Sequence, residues 1–200
     1  MKQLLLDTIL FEVNPTLVME AIAANKPLKV TGILQRADAK NQNKRIYPRQ
    51  ILEREAHKYS DTQVRERRAL GELDHPESSV VNLNNVSHNV KRMWWEQNNL
   101  LGEVEILGTP AGNILKELFK AGIKLGISSR GLGTVEENSE QFNVVQEDFE
   151  LIAFDFVSNP STQGAFMFPG RLNEGVRDVN QERVDRYAGV NRIITDILTG

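Results

Sequence analysis

The chain has 200 residues, a length that suits one domain and can bury a core without disulfides. Its charged content of 26% is ordinary for a globular protein, and its net charge of −3 gives no basic surface that favours nucleic acid. The absence of cysteine excludes thiolate catalysis and cysteine-ligated zinc. Apolar runs are short, so we expect no membrane span and no signal peptide.

The first third of the chain favours a strand, a helix, a strand and a helix in that order. Residues 1–15 favour a strand or a short helix. A helix follows Asn14, which can cap it, with Pro15 at its first position. Residues 28–38 favour a strand, and a second helix begins at Pro48. Its buried stripe is expected to contain Ile51, Leu52, Ala56 and Tyr59.

The rest of the chain contains more strands than helices. Residues 86–107 predict a β-hairpin, and residues 109–122 predict a helix capped by Thr109 and ended by Gly122. The expected buried stripe of that helix is Ile114, Leu115, Leu118 and Phe119. Residues 123–135 favour another strand. Two further strands are expected within residues 142–161, and a helix within residues 176–200.

About six or seven strands therefore accompany two to four helices, without regular alternation. This order disfavours a parallel doubly wound sheet. We expect an α+β fold: a mostly antiparallel β-barrel, or a mixed sheet, surrounded by helices.

Histidine is the first residue type to consider for catalysis, because a hydroxyl nucleophile needs a nearby base. His57 lies in a charged helix and is interpreted as a surface residue. His75 lies in "GELDHPES", where the following proline restrains the chain. It is either a general base or a loop histidine bonded to a carbonyl. His88 is either a half-buried strand residue or a group that orients His75.

Two adjacent serines, Ser128 and Ser129, lie in "GISSRG". Taken alone, this stretch is most simply a turn, and it lacks the G-x-S-x-G elbow of α/β-hydrolases. It nevertheless offers N–H groups and a cation, on Ser129, Arg130 and Gly131, that could bind an oxyanion. Rival carboxylate pairs, Glu72 with Asp74 or Asp148 with Glu150, have no fixed separation.

The order of the motifs is more informative than any one of them. "NKRIYPRQIL", "ALGELDHP", "VKRMWWEQNNLLGEVEIL", "GISSRGLGTV" and "FDFVSNPS" follow one another in the chain. This series resembles the prohead core serine proteases of T-even-type tailed phages, which are similar in fold to the herpesvirus maturation protease, assemblin. The resemblance runs from about Lys29 to Ala165.

The resemblance implies a serine endopeptidase inside the immature capsid. Its substrates would be scaffold, core and major capsid proteins, cut after a glutamate two positions past an aliphatic residue. It implies His75 as the base and Ser128 as the nucleophile, with Ser129 as the second choice. The third member is Asp155 or, failing that, His88. No histidine follows Ser128, which departs from the assemblin pattern.

Further expectations follow from the same resemblance. It implies no metal or cofactor and no nucleic-acid or membrane partner, and it implies a homo-oligomer, with a dimer as one option. The location is the prohead interior, within the host cytoplasm. Basic groups should receive the substrate glutamate, with Lys44, Arg45 and Arg130 as candidates.

The chain carries its own aliphatic-x-Glu string in "RLNEGV". We expect cleavage between Glu174 and Gly175, which divides the chain into a protease domain of residues 1–174 and a removable helical segment of residues 175–200. The similar strings "LGE" at 70–72 and 101–103 lie in predicted ordered elements and should be protected from cleavage.

The alternative functions are an inactive prohead scaffold or core protein, and a hydrolase of small esters. The form of 200 residues could be an active enzyme or a zymogen.

Overall fold

The computed structural model describes residues 2–11, 13–74, 76 and 78–158. The helices in these ranges are α1 (Pro15–Ala23), α2 (Arg49–Tyr59) and α3 (Pro110–Lys120). The strands are β1 (Gln3–Phe11), β2 (Lys29–Arg36), β3 (Arg45–Ile46), β4 (Leu70–Glu72), β5 (Val86–Glu96), β6 (Asn99–Ile106), β7 (Leu125–Gly133), β8 (Val135–Glu137), β9 (Asn143–Val145) and β10 (Glu150–Val157). The expected helix within residues 176–200 and the boundary after Glu174 lie outside the described residues.

The described strands form three sheets with the orders β1-β7-β10, β2-β6-β5-β4 and β3-β9-β8. All of their ladders are antiparallel except the two-residue pairing of β3 with β9. The α+β class and the mostly antiparallel pairing are therefore confirmed. Within the described residues the sheets do not close into the expected barrel. The first two sheets meet where short β4 lies beside β10, and the parallel pair Leu73–Phe156 bridges them there.

Local sequence signals account well for the helix and hairpin bounds. Asn14 caps α1, its side chain accepting from the N–H of Thr16 at 2.8 Å. Thr109 caps α3 in the same way, and Gly122 ends that helix in the left-handed region at φ 72°. The expected hairpin is β5 and β6. The ambiguous N-terminal segment is a strand, because it pairs along its length with β7.

One expectation about burial needs correction. Ile114 is 56% exposed and does not belong to the buried stripe of α3, whose buried residues are Ala111, Gly112, Leu115 and Phe119. The stripe is shifted because Gly112 fits closely against β5, where a Cβ on Gly112 would lie 2.7 Å from the Ser87 carbonyl oxygen.

The core of the described chain lies where α1, α2 and α3 cover the inner faces of the first two sheets. Phe156 of β10 contacts the rings of Phe11 and Phe119 with centroids 5.1 and 5.3 Å apart. A smaller apolar cluster surrounds Tyr47 and Phe149. None of the described helices is both long enough and apolar enough to span a membrane.

Candidate active site

Strand β7 is the middle strand of its sheet, and its alternation separates the two serines. Neighbouring residues of a strand point to opposite faces, whereas directly opposed residues of paired strands share a face. Ser129 lies opposite Phe154 and therefore faces the apolar core. Ser128 lies opposite Thr8 on one side and Asp155 on the other. The two hydroxyl groups therefore lie in different environments.

The hydroxyl of Ser128 is fully buried, at 0% exposure. Its Oγ has no hydrogen-bond partner among the residues that the structure describes. An unpartnered buried hydroxyl is costly and calls for an explanation, of which a catalytic role is one. The Asp155 carboxylate shares its face, directly across the ladder.

Ser129 has partners on the core side. Gln35 Nε2 donates to Ser129 Oγ at 2.7 Å, and this hydroxyl lies 3.4 Å from the carbonyl oxygen of Asp7. The Asp7 carboxylate in turn accepts from the Tyr47 hydroxyl and pairs with Arg45 Nη1 at 3.2 Å. Burial, reinforced by the nearby Asp7 charge, raises the pKa of Tyr47 well above its usual value, so this hydroxyl stays protonated as a donor. Ser129 thus belongs to a buried polar network.

A cluster of three buried charged side chains lies on the face of Ser128. Arg130 Nη2 lies 2.9 Å from Glu72 Oε1, and Arg130 Nε lies 2.9 Å from Asp155 Oδ2. Arg130 Nη2 also donates to Asp155 Oδ1 at 3.2 Å. All three side chains are 0% exposed. The guanidinium is therefore neutralised by two carboxylates inside the protein.

The loop that contains His75 begins at this cluster. His75 itself lies outside the described residues, but its neighbours do not. The N–H of Glu72 donates to Asp155 Oδ1 at 3.0 Å, and the N–H of Asp74 donates to the Phe156 carbonyl oxygen at 2.7 Å. Asp74 has a φ of 64°, a left-handed conformation that aspartate tolerates better than most residues. The chain therefore leaves β4 alongside the segment of β10 that carries Asp155.

His88 lies in a different setting, on β5 in the core. Its Nε2 lies 2.9 Å from the Phe154 carbonyl oxygen, and its Nδ1 lies 2.8 Å from Ser87 Oγ. The ring packs edge-on against Phe156. Burial lowers the pKa of His88 to about 4. Both ring nitrogens are thus engaged with partners other than Ser128 and Asp155.

The structure also describes the groups expected to bind an oxyanion or a substrate glutamate. Residues 129–131 are flanked by β1 on one edge of β7 and by β10 on the other. Gly131 lies close to Phe149, because a Cβ at Gly131 would be 2.4 Å from the Phe149 ring. Among the basic candidates, Arg130 and Arg45 pair with carboxylates, whereas the Lys44 side chain is exposed. Within the described ranges, no group of three or more histidine, aspartate or glutamate side chains could hold a metal ion.

Comparison with known proteins gives the family. Residues 10–177 match the family described as prohead core protein serine protease. The chain belongs to this family. The prohead core protein protease of Enterobacteria phage T4 is 35% identical over 150 residues, covering 74% of this chain and 71% of the relative. The solved structure of the bacteriophage T4 capsid assembly protease, gp21, superposes with a TM-score of 0.66 at 30% identity, covering 78% of this chain and 98% of that one.

The sequence singled out Ser128, Arg130 and Asp155 as candidate site residues, but it did not show how they are connected. Glu72 was considered as one member of a rival carboxylate pair with Asp74, yet it is a fully buried partner of Arg130. Gln35, which holds Ser129, was missed. No sequence signal separates a buried glutamate in "LGE" from the many exposed ones, because only the pairing of β4 beside β10 buries it.

Proposed function

We propose that the chain is a serine endopeptidase in which Ser128 is the nucleophile, His75 the general base and Asp155 the orienting carboxylate. The observation that carries this proposal is the Ser128 hydroxyl: buried, unpartnered among the described residues and directly opposite Asp155. Ser129 has partners in the core instead. The loop that contains His75 is tied to Asp155 through the N–H of Glu72.

In the proposed reaction, neutral His75 removes the hydroxyl proton as Ser128 Oγ attacks the scissile carbonyl carbon. The resulting imidazolium gives this proton to the leaving amine when the C–N bond breaks. Water then attacks the acyl-enzyme and passes a proton to His75, which returns it to Ser128 Oγ. Asp155 stabilises the imidazolium form.

Successive N–H groups of a strand point to opposite edges, so those of Ser129 and Gly131 can bind an oxyanion only if one neighbour of β7 is released when substrate binds, and that of Arg130 only if the other is released. Both edges are paired along this stretch. Removing one oxyanion donor typically costs about 2.7–4 kcal/mol of transition-state stabilisation.

The proposed substrates are prohead scaffold, core and major capsid proteins, cut after aliphatic-x-Glu inside the prohead by a homo-oligomeric enzyme. Family membership supports this assignment. The strings at 70–72 and 101–103, which should be protected, lie in β4 and β6, as expected. Among the basic candidates for the glutamate side chain, we favour Lys44, because its side chain is exposed whereas Arg45 and Arg130 are already paired with carboxylates.

The two serines can be tested directly. S128A and S129A are compared on a fluorogenic peptide with the sequence RLNEGV, and on purified phage scaffold protein. S128A should abolish cleavage, whereas S129A should retain it. Loss of cleavage in S129A alone, with S128A active, would make Ser129 the nucleophile.

The same proposal covers autoprocessing at Glu174–Gly175. Incubated wild-type enzyme should yield a fragment that ends at Glu174, identified by mass spectrometry, and S128A should not. Active enzyme that never yields this fragment contradicts autoprocessing, although it leaves the assignment of Ser128 intact.

A further inference from the structure

We propose that Arg130 is a positioning residue, whose guanidinium holds Glu72, at the end of β4, and Ser78, in the loop between β4 and β5, against β7 and β10 and so fixes these parts of the chain relative to Ser128. The proposal rests on the function proposed above. It assigns Arg130 a task other than binding the substrate glutamate or the oxyanion, and it brings Glu72 into the site.

The guanidinium contacts three separate parts of the chain. Arg130 Nη1 donates to the carbonyl oxygen of Ser78 at 2.9 Å, within the loop. Nη2 donates to Glu72 Oε1 at 2.9 Å, where the loop leaves β4. Nε and Nη2 both face the carboxylate of Asp155 on β10. Only arginine offers donors in such a rigid planar fork, so lysine cannot replace all three contacts at once.

Glu72 connects the two ends of the loop to this guanidinium. Its Oε1 also accepts from the N–H of Asn82 at 3.0 Å, at the far end of the loop. Its own N–H donates to Asp155 Oδ1 at 3.0 Å. Asp155, Arg130, Glu72 and Asn82 are thus linked in series. The loop cannot shift as a unit without breaking contacts to a buried charge.

The location of the cluster argues for a functional role. Arg130 lies two residues beyond Ser128 and on the same face of β7, and Asp155 lies opposite Ser128. Replacing a buried ion cluster with apolar side chains of similar volume is often neutral or stabilising, so stability alone does not explain its presence. An error of about 1 Å in the placement of reacting groups can cost about a hundredfold in rate. The cluster restrains both the strand of the nucleophile and the loop of the base.

Neutralisation of Arg130 also argues against a direct contact with substrate. Two carboxylates, those of Glu72 and Asp155, lie within 3.2 Å of it, and the side chain is 0% exposed. A substrate glutamate would have to displace one of these buried partners.

R130K tests the proposal, and R54K is the control for an arginine ion pair elsewhere in the fold. Arg54 also joins a buried carboxylate, that of Glu55 at 3.0 Å, to a carbonyl oxygen, that of Glu147 at 2.7 Å, but its side chain is 47% exposed and lies on α2. A fluorophosphonate probe serves for two measurements: the number of competent sites and the rate constant of its reaction with Ser128. Cleavage of the RLNEGV peptide then gives kcat per titrated site and KM.

For R130K we expect the labelling rate constant and kcat per site to fall about tenfold or more, with KM changed less than about threefold. R54K should keep wild-type values. Hydrogen exchange should accelerate at the amides of Glu72, Asp74 and Asn82 in R130K, whereas amides in β6 keep their protection. E72Q, which retains an acceptor for Asn82, should show a smaller effect of the same kind.

Four results would overturn the proposal. If Arg130 has a purely structural role, R130K will have fewer sites that react with the probe, but the rate constant at each remaining site will be unchanged. If Arg130 binds the substrate glutamate, R130K will raise KM for the glutamate peptide but not for its glutamine analogue, and its labelling rate will be unchanged. If the wild type is not labelled at Ser128 and S128A still cleaves, the proposed function itself fails. If S128A is inactive but R130K and E72Q keep their rates per site, only the positioning role fails.

Discussion

Ser128 of β7 and Asp155 of β10 lie directly opposite each other in an antiparallel ladder, and a bulge in β10 creates this pairing. Gly131 pairs with Leu151, but Arg130 pairs with Ala153, so one residue of β10 is extra. Without it, the regular register would place Phe154 opposite Ser128. The bulge therefore places the carboxylate on the face of Ser128 and keeps the phenylalanine rings in the core.

From this relationship we expect D155N to reduce kcat by about 10²–10⁴, because an amide cannot stabilise an imidazolium as a carboxylate does. The substitution would also leave Arg130 with Glu72 as its one carboxylate, so some loss of stability is expected. Steady-state kinetics, with the active-site concentration measured by the probe, separates the fall in kcat from the loss of stability. D148N, which changes an aspartate bound to Thr134 near the surface, is the control and should keep wild-type kcat. A D155N enzyme with wild-type kcat would remove Asp155 from the mechanism.

S129A should weaken the fold through the core network. The substitution leaves the buried Gln35 amide without its acceptor at 2.7 Å, and an unsatisfied buried donor costs about 1–3 kcal/mol. The free energy of unfolding, measured by urea titration, should fall by about this amount. The double variant S129A/Q35L removes both partners and should recover part of the loss. Equal stability of S129A and the wild type would show that this hydrogen bond contributes little.

Much of the fold could be predicted because its signals are local. Caps at Asn14 and Thr109 and the hairpin of β5 and β6 depend on neighbouring residues. The separate sheets could not be predicted, because β4 has three residues and its place beside β10 depends on distant contacts.

The same distinction holds for the site. The motifs point to Ser128 and Asp155 as candidates, but the pairing of these two residues depends on the bulge in β10. No residue type in that strand predicts a bulge. Equally, the sequence could not separate the environments of Ser128 and Ser129 until the core face of β7 was known. Ion pairing of Arg130 is a third case, because both partner carboxylates come from other strands.

G131A should destabilise the protein by steric overlap beside the site. A Cβ at Gly131 would lie 2.4 Å from the Phe149 ring and 2.7 Å from the Glu150 carbonyl oxygen. Overpacking of this kind typically costs about 1–3 kcal/mol. G108A is the matched control, because a Cβ at Gly108 meets nothing within 4 Å, and it should change stability by less than about 0.5 kcal/mol. Thermal unfolding of the two variants checks the difference, and equal midpoints would contradict it.

His88 should make the fold sensitive to acid. Burial lowers its pKa to about 4 from an ordinary value near 6.5, so between these values the unfolded chain binds a proton that the folded chain does not. Its contribution to stability is therefore complete above about pH 6.5 and is lost as pH falls towards 4. The loss over this window amounts to about 3 kcal/mol.

H88Q tests this dependence, because glutamine can still donate to the Phe154 carbonyl oxygen but does not titrate. Between pH 6.5 and 4, the free energy of unfolding of H88Q should fall less steeply than that of the wild type, by up to about 1.4 kcal/mol per pH unit. H57Q, which removes an exposed histidine of α2, is the control and should follow the wild-type curve. Urea titrations at half-unit steps of pH give both slopes. Parallel curves for H88Q and the wild type would show that His88 is not the group that couples folding to pH.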